Sequence, residues 1–545
     1  MLHQRDFGSA CVCTMFAALI AGASPALAAD VGPLLKVTAP SPFTKCTADG
    51  VAGQVGVNYP NTGIEPTAAV DPRDPDSLIV GWQQDRWSNG GSRGLMAALS
   101  NDERNHGPAY SIVTPGKVTK CEDGPFSRAS DPWVDISPSG VVYYMHLAFQ
   151  PDLPNGGFGP NGMFVTRSFN GGRSWTSPTT LIYDTNPQVL DDKNSITADP
   201  RLGALAYAVW DRLQDFTIGA GYGDTLTPLS GGGHDGVAIA RQRLAASKSS
   251  HKAASAATPA VQFVGPAYFA RTTDFGATWS TPKIIFNPGD NAQTINNRVV
   301  VTANGAVIDF FTHIFTDGTV AIDLVRSADQ GATFGPLIHA QTINSASGAV
   351  TPDKQDPIRD ASILFDVAVN RRTGAIYLVW EDTGFMPGAN PPINQVAFSM
   401  STDDGSTWSK PVRIDRTPNN ANPLREQAII PSVGVGPGGV LAVTYYDFRN
   451  DKSNGKEATD YWALFCNPHS SDCTKRANWG GETRLTNASF DMLDAPEAGG
   501  HFLGDYMTLK RTGDAVTAVF GIATGKNQTD IFTRKVGFVQ RDAAN

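Results

Sequence analysis

The apolar positions of this chain come in short runs closed by turn residues, and the runs come in pairs. Glu65-Pro-Thr-Ala-Ala-Val-Asp71 leads to Leu78-Ile-Val-Gly-Trp82, and Asp131-Pro-Trp-Val-Asp135 leads to Val141-Val-Tyr-Tyr-Met145. Residues 194–198 lead in the same way to 205–210, 298–301 to 307–311, 365–369 to 376–380, 430–434 to 441–445, and 506–509 to 515–520. Short apolar runs bounded by Gly, Pro, Asn and Asp predict β-strands. Seven copies of one strand–turn–strand unit predict a repeat architecture.

A second repeat runs beside the first. Ser168-Phe-Asn-Gly-Gly-Arg-Ser-Trp175, Thr272-Thr-Asp-Phe-Gly-Ala-Thr-Trp279, Ser327-Ala-Asp-Gln-Gly-Ala-Thr-Phe334 and Ser401-Thr-Asp-Asp-Gly-Ser-Thr-Trp408 share the pattern S/T-x-D/N-x-G-x-S/T-W/F. The Asp or Asn side chain accepts from nearby backbone N–H groups and closes a tight turn. Gly permits positive φ, the hydroxyls pair with freed backbone groups, and the terminal ring packs between sheets. A degraded copy spans Ser100 to His106, and in the sixth unit the segment from Cys466 to Cys473 replaces the turn.

These four segments resemble the Asp-boxes, or BNR repeats, of the sialidase superfamily of β-propellers. The expected fold is therefore all-β, a β-propeller of seven four-stranded blades, with six as the alternative because sialidases have six. A ring of blades also suits 545 residues, more than one hydrophobic core serves, since each blade packs mainly on its neighbours. The seventh unit ends one strand short at Asp530-Ile-Phe-Thr-Arg-Lys-Val536. A strand from the N-terminal region, within residues 53–61, is expected to close the ring and cover its edges. One interruption, about 213–264, contains Gly231-Gly-Gly233 and an Ala/Ser/Lys run. It reads as a poorly ordered insertion or a lid over the central face, with a short helix over 241–257.

Residues 1–28 read as a secretory signal. Arg5 precedes an apolar stretch from Cys11 to about Ala23, and Ala26-Leu-Ala28 supplies a small-x-small cleavage pattern. The rest divides into an N-terminal segment, 29–52, and the propeller, 53–545. The expected location is secreted or periplasmic, with no membrane span. Four cysteines remain after the signal, and an even count in an exported chain points to disulfides. Of three pairings, Cys466 with Cys473 and Cys46 with Cys121 is preferred. No CxxC or clustered His/Cys spacing calls for a metal, and no phosphate loop or nucleophile elbow calls for a cofactor. Asp71-Pro-Arg-Asp-Pro-Asp76 reads as a turn rather than a calcium loop. A net charge of −9 without a basic stripe argues against nucleic acid. The expected partner is a glycan or glycoconjugate, and the expected state is a monomer.

Within a blade the first two strands are antiparallel, so the start of the first and the end of the second share a face, opposite the Asp-boxes. That face is rich in charge. Second strands end in Gln84-Asp85-Arg86, Asp211-Arg212, Glu381-Asp382 and Tyr446-Asp447-Phe448-Arg449. First strands start near Glu65, Arg128 with Asp131, Asp192 with Lys193, Arg298, Arg359 with Asp360, Arg425 with Glu426, and His501 with Asp505 and Tyr506. The resemblance implies that guanidiniums clamp a substrate carboxylate, with Arg128, Arg298 and Arg425 as one candidate set and Arg86, Arg212 and Arg449 as the second. It implies a nucleophilic Tyr506 activated by Glu426, and Asp85 or Asp131 as acid/base. The family's aromatic-Arg-Ile-Pro segment is absent; Ile64-Glu65-Pro66-Thr67 stands there, and a carboxylate at that position repels an anionic substrate. The expected function is a sialidase-like glycoside hydrolase acting on acidic glycans. The alternatives are a non-catalytic propeller binding glycan or protein through its charged face, and an enzyme of other chemistry, such as a lyase, on the same scaffold.

Overall fold

The computed structural model describes residues 27–50, 56–100, 110–153, 156–218, 239–241, 261–344 and 348–540. It is all-β, and its strands form antiparallel four-stranded units apart from short pairings such as the parallel contact of Ile358–Arg359 with His501–Phe502. Among the described residues, seven such units follow one another. Their first strands are Gly63–Asp71, Arg128–Ile136, Val189–Ala198, Gln293–Val301, Phe365–Val369, Ala428–Val435 and Thr508–Thr512. The first two units merge into one sheet only through the pair Ser92 and Ala129. The first strands lie beside one another in chain order, and the seventh adjoins the first.

Burial falls from the second strand outward. Val142–Phe149, Ile376–Asp382 and Leu441–Asp447, all second strands, are buried at every position, whereas the fourth strand Thr179–Asp184 is half exposed. Strands covered on both faces read as continuous apolar runs, which is why these were the clearest runs in the sequence. Much of the apolar core lies between units. Ala69, Ile79 and Leu95 of the first pack with Val134, Tyr144 and Phe164 of the second.

In the seventh unit the outermost strand is Leu27–Lys36, antiparallel to Gln528–Gln540 with Val31 opposite Val536 and Lys36 opposite Phe532. This corrects the expectation that residues 53–61 supply that strand, and it joins part of the segment 29–52 to the last sheet. Gly53, Gly56 and Pro60 interrupt a ladder. Leu27–Lys36 also contains Gly32 and Pro33, but a register shift between Val31 and Leu34 accommodates them. Of the expected signal, residues 1–26 lie outside the described residues, as does the degraded turn motif beyond Ser100. Both disulfides form as preferred, Cys46–Cys121 and Cys466–Cys473, with Cα–Cα distances of 5.7 and 5.9 Å. Disulfides fit an oxidising compartment. Among the described residues no helix is long and apolar enough to cross a membrane.

The four Asp-box turns each join the third and fourth strands of a unit. In the third unit, Thr272 Oγ1 accepts from Gly276 N (2.8 Å), and Asp274 accepts from Thr278 N (2.9 Å) and Thr278 Oγ1 (2.7 Å). Both acceptors thus reach four residues along the chain. The residue before the box glycine is also left-handed, with φ of 61°, 59° and 55° at Phe275, Gln330 and Asp404. The glycine itself meets the preceding unit: a Cβ on Gly331 would stand 2.3 Å from the Phe269 ring. The arginine just before three of the boxes performs a complementary task. Arg167, Arg271 and Arg326 donate to the carbonyls of Phe275, Gln330 and Asp404 in the next unit's box. The turn at Asp71 is confirmed too, with its carboxylate on Arg73.

The interruption leaves the second strand of the third unit, Ala206–Asp215, and returns with Phe263–Val264 paired on that strand's end. Residues 219–238 and 242–260, including most of the expected helix, lie outside the described residues. The described residues 239–241 are anchored. Ile239 packs with Phe158, Leu190 and Leu213, and Arg241 donates to Asp360 Oδ1 at 2.8 Å.

Candidate functional site

Five first strands carry the same irregularity. Each shifts register by a β-bulge next to a non-glycine residue of positive φ: Glu65 (53°), Asp131 (52°), Lys193 (42°), Asn296 (62°) and Ile430 (52°). Left-handed backbone costs an L-residue about 1 kcal/mol, and such outliers concentrate at functional sites. Here they gather unlike charges. Lys193 Nζ lies 2.8 Å from Asp505 Oδ2, 3.2 Å from Asp131 Oδ2 and 3.5 Å from Glu65 Oε1. Arg359 completes the cluster, with Nε 2.9 Å from Asp505 Oδ1. All five side chains are buried.

The electrostatics follow from three carboxylates around two cations. Burial opposes ionisation of Asp505, but the Arg359 and Lys193 charges outweigh it and hold the carboxyl well below its usual range. Burial likewise opposes the Lys193 charge, and Asp131, Asp505 and Glu65 outweigh it. Glu65 is the carboxyl left over. Burial, aided by Asp131 and Asp505 and opposed by Lys193, pushes it up to about 8. It accepts from the Gln83 amide and from Asp505 N.

Tyr506 lies against this cluster, its ring edge-on to Trp133 at 5.5 Å and 5.7 Å from Lys193 Nζ. Its hydroxyl is buried and makes no hydrogen bond among the described residues. Burial, then Glu65 and Asp131, hold the phenol well above its usual range. Arg298 stacks on Trp133 at 4.0 Å and faces the Tyr506 ring at 5.2 Å. Of the expected site, then, Tyr506, Asp131 and Arg298 come together.

The remaining candidates are elsewhere. Glu426 closes the turn Pro423–Glu426 and accepts from Asn420 N at 2.8 Å, so the acid beside Tyr506 is Glu65 instead. Asp85 holds the N-terminal segment, accepting from Ser41 Oγ (2.7 Å) and Asn61 N (2.8 Å). Arg212 pairs with Asp184 and Asp191, and Arg449 with Asp447 and Glu482. Arg425 bridges Asp451 and Asp353, beside Glu457. Arg128 donates to Asn89 Oδ1 (2.8 Å) and Gly90 O (2.7 Å) and stacks on Trp87 at 4.6 Å. Arg86 donates to Gln83 Oε1 at 2.8 Å and shares the Phe502 ring with Arg359. Each guanidinium binds what its own unit or a neighbouring loop offers, and the expected clamps do not assemble.

Sequence reading registered Glu65, Lys193, Arg359 and Asp505 only as charges at strand starts. A signal for the bulges was present: the left-handed residue is followed by Pro66, Pro132, Asn194, Asn297 and Pro431 in the five units.

No family model matches the chain, and neither does any curated protein. Solved structures similar to it include a protein of unknown function from Dyadobacter fermentans, at 11% identity and TM-score 0.42, covering 89% of this chain and 98% of that one. A Hadza microbial sialidase aligns at 14% identity and TM-score 0.40, covering 86% and 76%. An α-L-arabinofuranosidase from Fusarium graminearum aligns at 9% identity and TM-score 0.41, covering 93% and 97%. Likenesses this remote carry no assignment.

Proposed function

We propose that the chain is an exported, monomeric seven-bladed propeller of the Asp-box type that binds a glycan or glycoconjugate without the arginine clamp of a sialidase. Seven four-stranded units with adjoining first strands support the blade count, and the strand Leu27–Lys36 in the last unit supports closure of the ring. The leader-like N-terminus and the two disulfides support export. The glycan class rests on the Asp-box resemblance. The observation that carries the reading is the pairing of three of the six clamp candidates: Arg212, Arg425 and Arg449 each meet two acidic side chains, which leaves those three no vacancy for a substrate carboxylate.

A second reading, a glycoside hydrolase on acidic glycans, is favoured by one juxtaposition. Tyr506 lies beside Glu65 and Asp131, and a Tyr nucleophile assisted by carboxyl groups is an attested route to glycoside cleavage. Assay of purified protein on a fluorogenic sialoside, with Tyr506→Phe as control, separates the two. Glycan binding with no release is expected. Release abolished by Tyr506→Phe overturns the binding reading, and absence of both binding and release sinks both.

A further inference from the structure

Between the first strands runs a channel of about 620 Å³, lined by residues from the bulges down to the first hairpin turns. Its inner end is formed by Trp133 and Arg298, beneath the Tyr506 cluster; its mouth opens among the turns at Asp71-Pro72, Arg371 and Gly438. Five basic side chains line it against three acidic ones, in a chain whose net charge is −9. The acids are already engaged. Asp71 is paired with Arg73 at 2.7 Å. Asp135 accepts from Ile136 N and Ala198 N, each at 2.9 Å. Asp366 accepts from Val367 N and Val433 N, each at 3.0 Å, and from Ser432 Oγ at 2.7 Å.

Two of these cations, Arg298 and Lys510, are paired with no acid among the described residues. Arg298 is 5% exposed, and its one hydrogen bond is from Nε to Asn296 Oδ1 at 3.1 Å. Its terminal nitrogens have no partner among the described residues, and stacking on Trp133 fixes the plane of the fork without using those donors. Lys510 projects from the seventh unit's first strand into the same space, and no carboxylate approaches it or Arg298 within 4.0 Å among the described residues. Burial depresses the basicity of both side chains. Asp366 acts on both cations, and Asp135 on the half-buried Lys510, but only from beyond ion-pair distance. A buried cation such as Arg298 with no contacting counter-charge is unfavourable, and the cavity beside it admits one.

We propose that the channel is an anion site in which Arg298 and Lys510 hold a small oxyanion, either a carboxylate or a phosphate group. The Arg298 fork supplies paired donors suited to both geometries, and Lys510 supplies a point charge. The site opens on the Asp-box side, opposite the strand-start face, and does not depend on what that face binds.

Calorimetric titration of the full chain with inorganic phosphate and with acetate, at constant ionic strength in a chloride background, tests it. Saturable binding of one of the two is expected, and which one binds distinguishes the sources. Lys510→Met weakens it by about tenfold, the scale of one charge-assisted hydrogen bond, and Arg298→Lys weakens it although the charge is kept. Lys510→Met carries the test if the Arg298 variant does not fold. The titration reads oxyanion binding with no glycan present, so failure here is separable from failure of the glycan reading. No saturable binding, or equal affinity in wild type and Lys510→Met, overturns the proposal; chloride competing as well as either oxyanion also overturns it.

Discussion

The two ends of the first strands differ in how they treat charge. At the starts, bulged residues from different units converge, and Lys193, Glu65, Asp131, Asp505 and Arg359 neutralise one another. Toward the opposite ends, Arg298 and Lys510 stand in a cavity with no carboxylate within 4.0 Å of either among the described residues. The same backbone serves both. What differs is that the bulge breaks the two-residue period and regroups side chains from several units, whereas regular strand below it leaves each unit's residue at its own station. Burial at the first end is compatible with charge because the charges are matched. At the second the cations face the channel, where the proposed oxyanion would supply the matching charge.

The comparison can be broken most forcefully at Lys193. Lys193→Met removes the cation that meets all three buried carboxyl groups and should cost about 3–5 kcal/mol, measured by denaturant unfolding. A cost near that of Lys510→Met would mean that the two ends are electrostatically alike. The scaffold between the units comes next. Gly331→Ala places a Cβ 2.3 Å from the Phe269 ring at φ of 80°, and should destabilise by about 2–3 kcal/mol from overpacking and strain. An unchanged unfolding midpoint would remove the glycine from the packing between units.

A pH series sharpens the strand-start end. Glu65 keeps its proton to about 8 in the folded chain, whereas an unfolded Glu loses it near 4.3. Between those values the folded state binds more protons, so this residue's contribution to stability falls as pH rises. Glu65→Gln should flatten that part of the profile; an unaltered slope would show that the Glu65 carboxyl is ionised together with its neighbours. The smallest effect is expected at the links between Asp-boxes. Arg167→Ala removes the 2.9 Å bond to Phe275 O and should cost about 1 kcal/mol or less, read as a small drop in Tm.

Much of the fold was legible because repetition amplifies weak local signals. One S-x-D-x-G turn says little; four copies at matching places, each ending in an aromatic ring, define a unit. The second strands were equally plain, since burial on both faces demands unbroken apolar runs such as Val142–Phe149. The site was legible in part. Arg298, Asp131 and Tyr506 were picked by their places near strand starts, with roles taken from the family resemblance, and the structure brings these three together. Glu426 was misplaced because Tyr506's acidic neighbour comes from the first unit, 441 residues earlier in sequence, and chain proximity to a sheet start does not fix direction. Arg212 and Arg449 were chosen for strand-end position, but acids on outermost strands, Asp184 of the preceding unit and Glu482 of the same unit, reach them first.

The sequence by itself determined the strand–turn–strand units, the turn chemistry of the Asp-boxes and the supply of cysteines, because each depends on residues within a few positions of one another. Tertiary structure alone decided that Leu27–Lys36 rather than residues 53–61 flanks the last sheet, which charges neutralise one another, and which stay alone in the channel. Those outcomes are set by bulges that turn side chains out of strand alternation and by the meeting of units far apart in the chain. Local pattern cannot encode the distance between Lys193 and Asp505; only the convergence of residues near the strand starts of the third and seventh units sets it at 2.8 Å.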